Sequence, residues 1–267
     1  MNAHEVLKGR LHADGVTLNY ENRTVARHLS LSIADGSFTA IVGPNACGKS
    51  TLLRALSRLL MPTKGQVILD GKALDRYPAR DAARVLGLLP QSASAPEGIT
   101  VADLVARGRY AHQSFFRQWS RTDENAVSSA MKATLTNGLS GRQVDELSGG
   151  QRQRVWIAMV LAQETPILLL DEPTTFLDIA HQIEVLDLLA GLNATGRTIV
   201  TVLHDLNQAC RYASHIVFMK EGAIIKEGRP ADIVSAELVE AVFGLPCLVV
   251  PDPVTLSPMI VPKRRSL

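Results

Sequence analysis

The sequence predicts an α/β fold whose core holds a mixed sheet, with an antiparallel β subdomain near the N-terminus and a helical subdomain inserted into the core. Three observations predict it. Ile167-Leu168-Leu169-Leu170 is fully apolar over the length of a strand, as expected of a parallel strand covered on both faces. The stretch before residue 40 alternates apolar and polar side chains between polar turns, the pattern of half-buried antiparallel strands. From Ser92 to about residue 165 the texture is helical, with loops rich in Ala, Ser, Gly and Arg and no convincing strand. A single domain is expected, with a core at about 1–91 and 166–250, a helical subdomain at about 92–165 and a tail at 251–267.

Taken in order, Gly15 to Tyr20 is the first strand, Glu21-Asn22-Arg23 its turn, Leu29 to Ile33 the second strand and Ala34-Asp35-Gly36 the next turn. The apolar run Phe38 to Val42 leads into Gly43, and Leu52, Leu53, Leu56 and Leu59 mark one face of the helix beyond. Pro62 to Gly65 is a turn, Gln66 to Leu69 a short strand, Asp70-Gly71 a hairpin signal, and Val85 to Pro90 a buried strand ending at Gln91. After the strand at Ile167, apolar residues from Ile183 to Leu189 mark a helix, Thr198 to Leu203 a strand, and a further helix starts at Asp205. Ile216 to Met219 and Ala223 to Lys226 form a hairpin about Glu221-Gly222. The tail alternates Pro with apolar residues and ends in Lys263-Arg264-Arg265, and no internal repeat is present.

With 267 residues, 46% hydrophobic and 20% charged, the chain can bury a sizeable core. Its longest unbroken apolar run, Val155 to Ala162, is far short of the roughly 20 residues of a membrane helix. His4, Glu5, Lys8 and Arg10 interrupt the N-terminus, which offers no apolar core of a signal peptide, so a cytosolic protein is expected. Cys47, Cys210 and Cys247 have neither disulfide-framework nor zinc-site spacing. The formal charge of +2 gives no global electrostatic reason to expect nucleic acid.

The densest chemistry lies in Gly43-Pro44-Asn45-Ala46-Cys47-Gly48-Lys49-Ser50-Thr51, set between a strand and a helix. Glycines let successive backbone N–H groups curl inward, and a helix N-terminus adds positive dipole at the same place. Lys49 would set a point charge on β- and γ-phosphates, and the Ser50 hydroxyl would ligate Mg²⁺. Asp171 and Glu172 directly follow the apolar strand, at the end of a parallel sheet where ligands bind. Asp171 suits a Mg²⁺ partner, and Glu172 could polarise a water aimed at the γ-phosphate. Leu147-Ser148-Gly149-Gly150-Gln151 opens another helix and makes a second anion site. Two phosphate sites in one small domain make sense if the second serves a nucleotide held by another copy.

These motifs, with Gln91, Asp178 and His204, occur in the order and spacing of the ATP-binding cassette (ABC) ATPases, which the whole chain resembles. The resemblance implies a phosphate-loop NTPase core and a head-to-tail dimer that sandwiches two ATP molecules, each between one copy's loop and the other's Leu147 to Gln151. It implies that Tyr20 stacks on adenine, and that Gln91 senses Mg²⁺ and the attacking water. His204 would hold the γ-phosphate against Glu172, and Asp178 would act across the dimer interface. Ala46 departs from the family, which commonly has Gly there; a positive φ would strain it by roughly 1 kcal/mol or more. Cys47, near a helix N-terminus, is expected to have a lowered thiol pKa and to react with thiol reagents, with protection by nucleotide.

Arg107 to Trp119 is basic and aromatic, expected as a solvated rim of the helical subdomain rather than a nucleic-acid surface. That segment, Thr175 to Gln182, and Pro251-Asp252-Pro253 resemble the importer ATPases for ferric siderophores. The resemblance implies an ATPase on the cytoplasmic face of the inner membrane, working with permease subunits and an extracytoplasmic siderophore-binding protein. Cobalamin and haem importers are near alternatives. A soluble cassette ATPase acting on ribosomes or DNA usually has two cassettes or a long coiled-coil insertion, and this chain has neither. A phosphate-loop kinase or GTPase would lack Leu147 to Gln151 and the His204 position.

Overall fold

The computed structural model describes residues 9–20, 23–113 and 119–264. Its strands and helices, in chain order, are β1 Leu11–Tyr20, β2 Arg23–Ile33, β3 Phe38–Val42, α1 Lys49–Leu56, β4 Lys64–Leu69, β5 Lys72–Ala73, α2 Ala79–Ala83 and β6 Leu86–Leu89. Then follow α3 Val101–Ala106, α4 Arg121–Ala133, α5 Gly149–Ala162, β7 Ile167–Asp171, α6 Ile179–Ala194, β8 Thr198–Val202 and α7 Leu206–Tyr212. The last are β9 His215–Lys220, β10 Ala223–Gly228, α8 Pro230–Ile233, α9 Ala236–Phe243, β11 Cys247–Pro251 and β12 Pro258–Pro262. The chain divides into two compact units, one ending at Arg76 and resuming at Thr198, the other running from Tyr77 to Arg197.

The first unit holds an antiparallel sheet in the order β2-β1-β4-β5. Asp70 and Gly71, at φ 48 and 75, make the tight turn between β4 and β5. The strand that leads into Gly43 belongs elsewhere: β3 pairs in parallel with β8 and with β9, and β10 pairs antiparallel with β9. Every residue of β3 and β8 is buried, as expected of strands covered on both faces.

The proline-rich tail is folded. Residues 247–262 form a hairpin, β11 against β12, with Pro251 paired to Pro258 at the end next to the loop. Asn207 on α7 clasps its backbone, accepting from Ile260 N at 2.7 Å and donating to Ile260 O at 3.3 Å. Arg211 reaches Asp252 at 2.7 Å, and Asp252 also accepts from the N–H groups of Val254 and Thr255. Those bonds hold the Asp252 carboxyl well below the usual carboxylate range.

In the second unit β6 and β7 pair in parallel, with Leu89 opposite Leu170. Between them the described chain holds helices joined by loops and no strand, apart from a single bridge between Thr100 and Gln143. α4 begins with a capping box: Ser120 accepts from Asp123 N, and Asp123 reaches back to Ser120 N. Arg109, only 3% exposed, locks this helix start to the end of α5, donating to Asp123 at 2.9 Å, Ala162 O at 2.7 Å and Glu164 at 2.8 Å. The segment from Arg107 is therefore not uniformly a solvated rim: Gly108, Arg109 and Ala111 are buried while Tyr110 and Trp119 are exposed. Ser114 to Gln118, like Glu21, Asn22 and Arg265, lie outside the described residues. No helix among the described residues is long and apolar enough to cross a membrane.

Candidate nucleotide-binding site

In the first unit the phosphate loop leaves the end of β3. A methyl group on Gly43 would run into the carbonyl oxygen of Met219 on β9, so only glycine can leave the strand here. Asn45 and Ala46 form an exposed turn, and Ala46 sits at φ 60, the left-handed conformation that strains any residue with a Cβ. Gly48, at φ 106, starts α1 without a side-chain cap, and the helix's first turn holds no acidic residue. Its leading N–H groups thus keep their partial positive charge.

Lys49 is 5% exposed, and its ammonium donates to Gly43 O and Pro44 O, both at 2.9 Å. Among the described residues no carboxylate forms an ion pair with it, so the loop encloses a positive charge met only by carbonyl dipoles. This is the observation that fits a triphosphate: an anion is the missing complement. Register also places His204. Ile41 on β3 faces Val202 on β8, and Leu203 N donates to Ile41 O, so Gly43 and the exposed His204 emerge from neighbouring parallel strands. Tyr20 ends β1 and is 49% exposed, and the Arg54 guanidinium carbon lies 5.9 Å from its ring centroid.

The second unit holds the remaining expected residues. Asp171 ends β7 buried, and Glu172 follows at φ 55, 9% exposed. A buried carboxylate in the left-handed region is strained, and such strain gathers at functional sites. The Thr175 hydroxyl donates to Glu172 Oε2 at 3.2 Å. The Leu89 to Leu170 register brings Gln91 out two residues after Leu89, as Glu172 lies two after Leu170. Among the described residues no group of three or more His, Cys, Asp or Glu is arranged to hold a metal ion. A magnesium ion usually takes one or two carboxylates and completes its shell with phosphate oxygens and water.

Ser148 caps α5, accepting from Gln151 N at 3.3 Å, while Gln151 Oε1 accepts from Ser148 N at 3.2 Å. The same unit brings this helix start beside the chain after Glu172: a methyl group on Gly150 would sit 3.3 Å from Leu177 Cδ2. Asp178 caps α6, accepting from His181 N at 2.9 Å and from His181 Nδ1 at 2.8 Å. These bonds, backbone first, lower the Asp178 carboxyl. Phe176 and Ile179, on either side, are 86% and 79% exposed. On the helical part of this unit an open recess of about 640 Å³ is lined by Asp103, Arg107, Tyr110, Gln113 and Trp119.

One sequence expectation fails. Cys47 is 5% exposed, and burial pushes its thiol pKa up despite the opposing pull of Lys49. Desolvation of the thiolate outweighs the helix N-terminus. Sequence reasoning also passed over Arg54, although its place four residues after Ser50 puts the two on one face of α1.

Comparison with known proteins places this geometry. The ABC transporter family model matches residues 26–175. The ferric enterobactin transport ATP-binding protein FepC of Escherichia coli K12 is 56% identical over 258 residues, covering 96% of this chain and 95% of that protein. A solved inward-facing ABC transporter of metal-chelate type superposes with a TM-score of 0.81 at 29% identity, covering 96% of this chain and 98% of that one. A bacterial ABC transporter cassette solved as a dimer gives a TM-score of 0.74 at 27% identity, covering 82% of this chain and 98% of that one. With the phosphate loop and the Leu147 to Gln151 helix start both lying in a chain of this fold, the protein belongs to the ABC transporter family as one of its ATP-binding ATPase domains.

Proposed function

We propose that this ATPase energises import of a ferric siderophore through a membrane permease. The observation that carries the reading is the similarity to the ferric enterobactin ATP-binding protein over nearly the whole of both chains. Two copies would meet head to tail around ATP, the loop of one facing Ser148, Gly149, Gly150 and Gln151 of the other, and a solved relative is dimeric. The helical segment at about 92–165 would face the permease at the cytoplasmic side of the inner membrane, its recess receiving part of that partner. A siderophore-binding protein outside the cell would deliver the cargo, which never touches this chain.

Roles follow from the chemistry of each side chain. Tyr20 stacks on adenine. Lys49 exchanges its carbonyl partners for β- and γ-phosphate oxygens, and the N–H groups from Gly43 to Thr51 cradle the rest. Ser50, Asp171 and Gln91 would hold Mg²⁺, which when bound supplies positive charge against the triphosphate. Glu172, steadied by the Thr175 hydroxyl, orients the attacking water and takes its proton. His204 holds the γ-phosphate end, and Asp178 acts across the copies. The test is uptake of iron-labelled siderophores by cells lacking this chain, complemented with wild type or with Glu172→Gln. Rescue by wild type alone supports both the importer and the carboxylate; uptake that never depended on the chain removes the iron assignment and turns attention to cobalamin or haem.

A further inference from the structure

Arg54 sits in the last turn of α1, the helix that begins with Lys49 and Ser50. Its guanidinium carbon lies over the Tyr20 ring, 5.9 Å from the centroid. Among the described residues no carboxylate forms an ion pair with it, although half-buried arginines elsewhere in the chain, such as Arg154, lie near an acid. A planar guanidinium on an aromatic face is held by the ring quadrupole and by stacking together, which an ammonium cannot reproduce in full. Ser50 and Arg54 are one turn apart and share a face of a single eight-residue helix. The element that starts the phosphate site therefore also supports the aromatic ring 30 residues upstream of Ser50.

We infer that Arg54 is a positioning residue for the nucleotide base: lying over the Tyr20 ring, it fixes the ring at a set distance from the phosphate loop and so selects a ligand that carries a base at that reach. The inference rests on Tyr20 being the base platform. Without Arg54, Tyr20 at the end of β1, next to residues 21 and 22, has no other ring or cation against it among the described residues. A residue that only places the base acts on binding, so KM should move and kcat should not.

The experiment measures binding of ATP and of inorganic tripolyphosphate, and ATPase kinetics, for wild type, Arg54→Met, Arg54→Lys, Tyr20→Leu and the Tyr20→Leu/Arg54→Met double variant. Arg54→Met should weaken ATP binding about two- to fivefold, the size of a half-exposed cation–π contact, and raise KM alike with kcat unchanged. Tripolyphosphate, having no base, should bind Arg54→Met as it binds wild type. Arg54→Lys should recover part of the loss, and Arg54→Met should add nothing once Tyr20 is Leu. If Tyr20→Leu weakens ATP but Arg54→Met still costs as much in that background, or weakens tripolyphosphate equally, Arg54 acts on the phosphates or the helix and the inference falls alone. If Tyr20→Leu leaves ATP affinity unchanged, the base-platform reading falls and takes the inference with it.

Discussion

Ala46 holds a left-handed conformation in the turn of the phosphate loop, at φ 60. The sequence raised this only as a condition, because identity alone does not fix φ; the turn between Pro44 and Cys47 does, and Cys47 N donates back to Pro44 O. Ala46→Gly should relieve the strain and stabilise the protein by about 0.5–1 kcal/mol, seen as a rise of a few degrees in thermal midpoint, with ATP affinity and turnover at or above wild type. No rise would mean that the loop carries no strain at this residue. Cys47 goes the other way from its sequence expectation. A buried thiol with a raised pKa presents little thiolate at neutral pH, so a thiol reagent should label Cys47 far more slowly than the same cysteine in denatured protein. Labelling at the denatured rate would show the thiol to be open and ionised.

Among the elements, α4 is tied down by a charge that the sequence hid. Arg109 lies within a run of Arg and aromatic residues that pattern alone assigns to solvent, yet the fold buries it against Asp123 and the end of α5. Burial alone would raise the Asp123 carboxyl; hydrogen bonds from Ser120 and Arg109 overcome it and hold the pKa at about 2, below its ordinary 3.8. Because the folded value is the lower one, the stabilisation is complete above pH 4 and is lost as pH falls towards 2. Its size is on the order of 2 kcal/mol. Asp123→Ala should cost about 3 kcal/mol, the lower end for a broken buried pair, because Glu164 and Ala162 O still hold the guanidinium. Denaturant unfolding between pH 5 and pH 2 checks both, and equal acid sensitivity in wild type and variant would remove Asp123 from the pH response. The tail hairpin was equally hidden. Its strands are short and bounded by prolines, which read as irregular chain until Asn207, on another element, supplies the bonds that hold Ile260.

For the whole molecule, the decisive variant is Glu172→Gln. It keeps the side chain's size and the acceptor for Thr175 but loses the proton acceptor, so ATP should bind without turnover. With Mg²⁺ and ATP, the variant should then elute at twice the mass of the monomer in size-exclusion chromatography with light scattering, while wild type returns to the starting state as ATP is consumed. Wild-type hydrolysis by Glu172→Gln would take Glu172 out of the base role. Hydrolysis lost with no dimer, even in the presence of excess ATP, would count against the head-to-tail sandwich instead.

The sequence by itself determined the fold class, the phosphate loop and the order of the chemical motifs. Each is written locally: a buried strand as an apolar run, a phosphate loop as glycines and Lys49 at fixed spacing, a helix start as Ser148 with Gln151 three residues on. Only the tertiary structure decided that Arg109 is buried, that Cys47 is shielded, that Ala46 is strained, and that Arg54 lies on Tyr20. Those properties depend on what packs against a residue from distant parts of the chain, and burial, desolvation and backbone angle are set by such neighbours rather than by residue type.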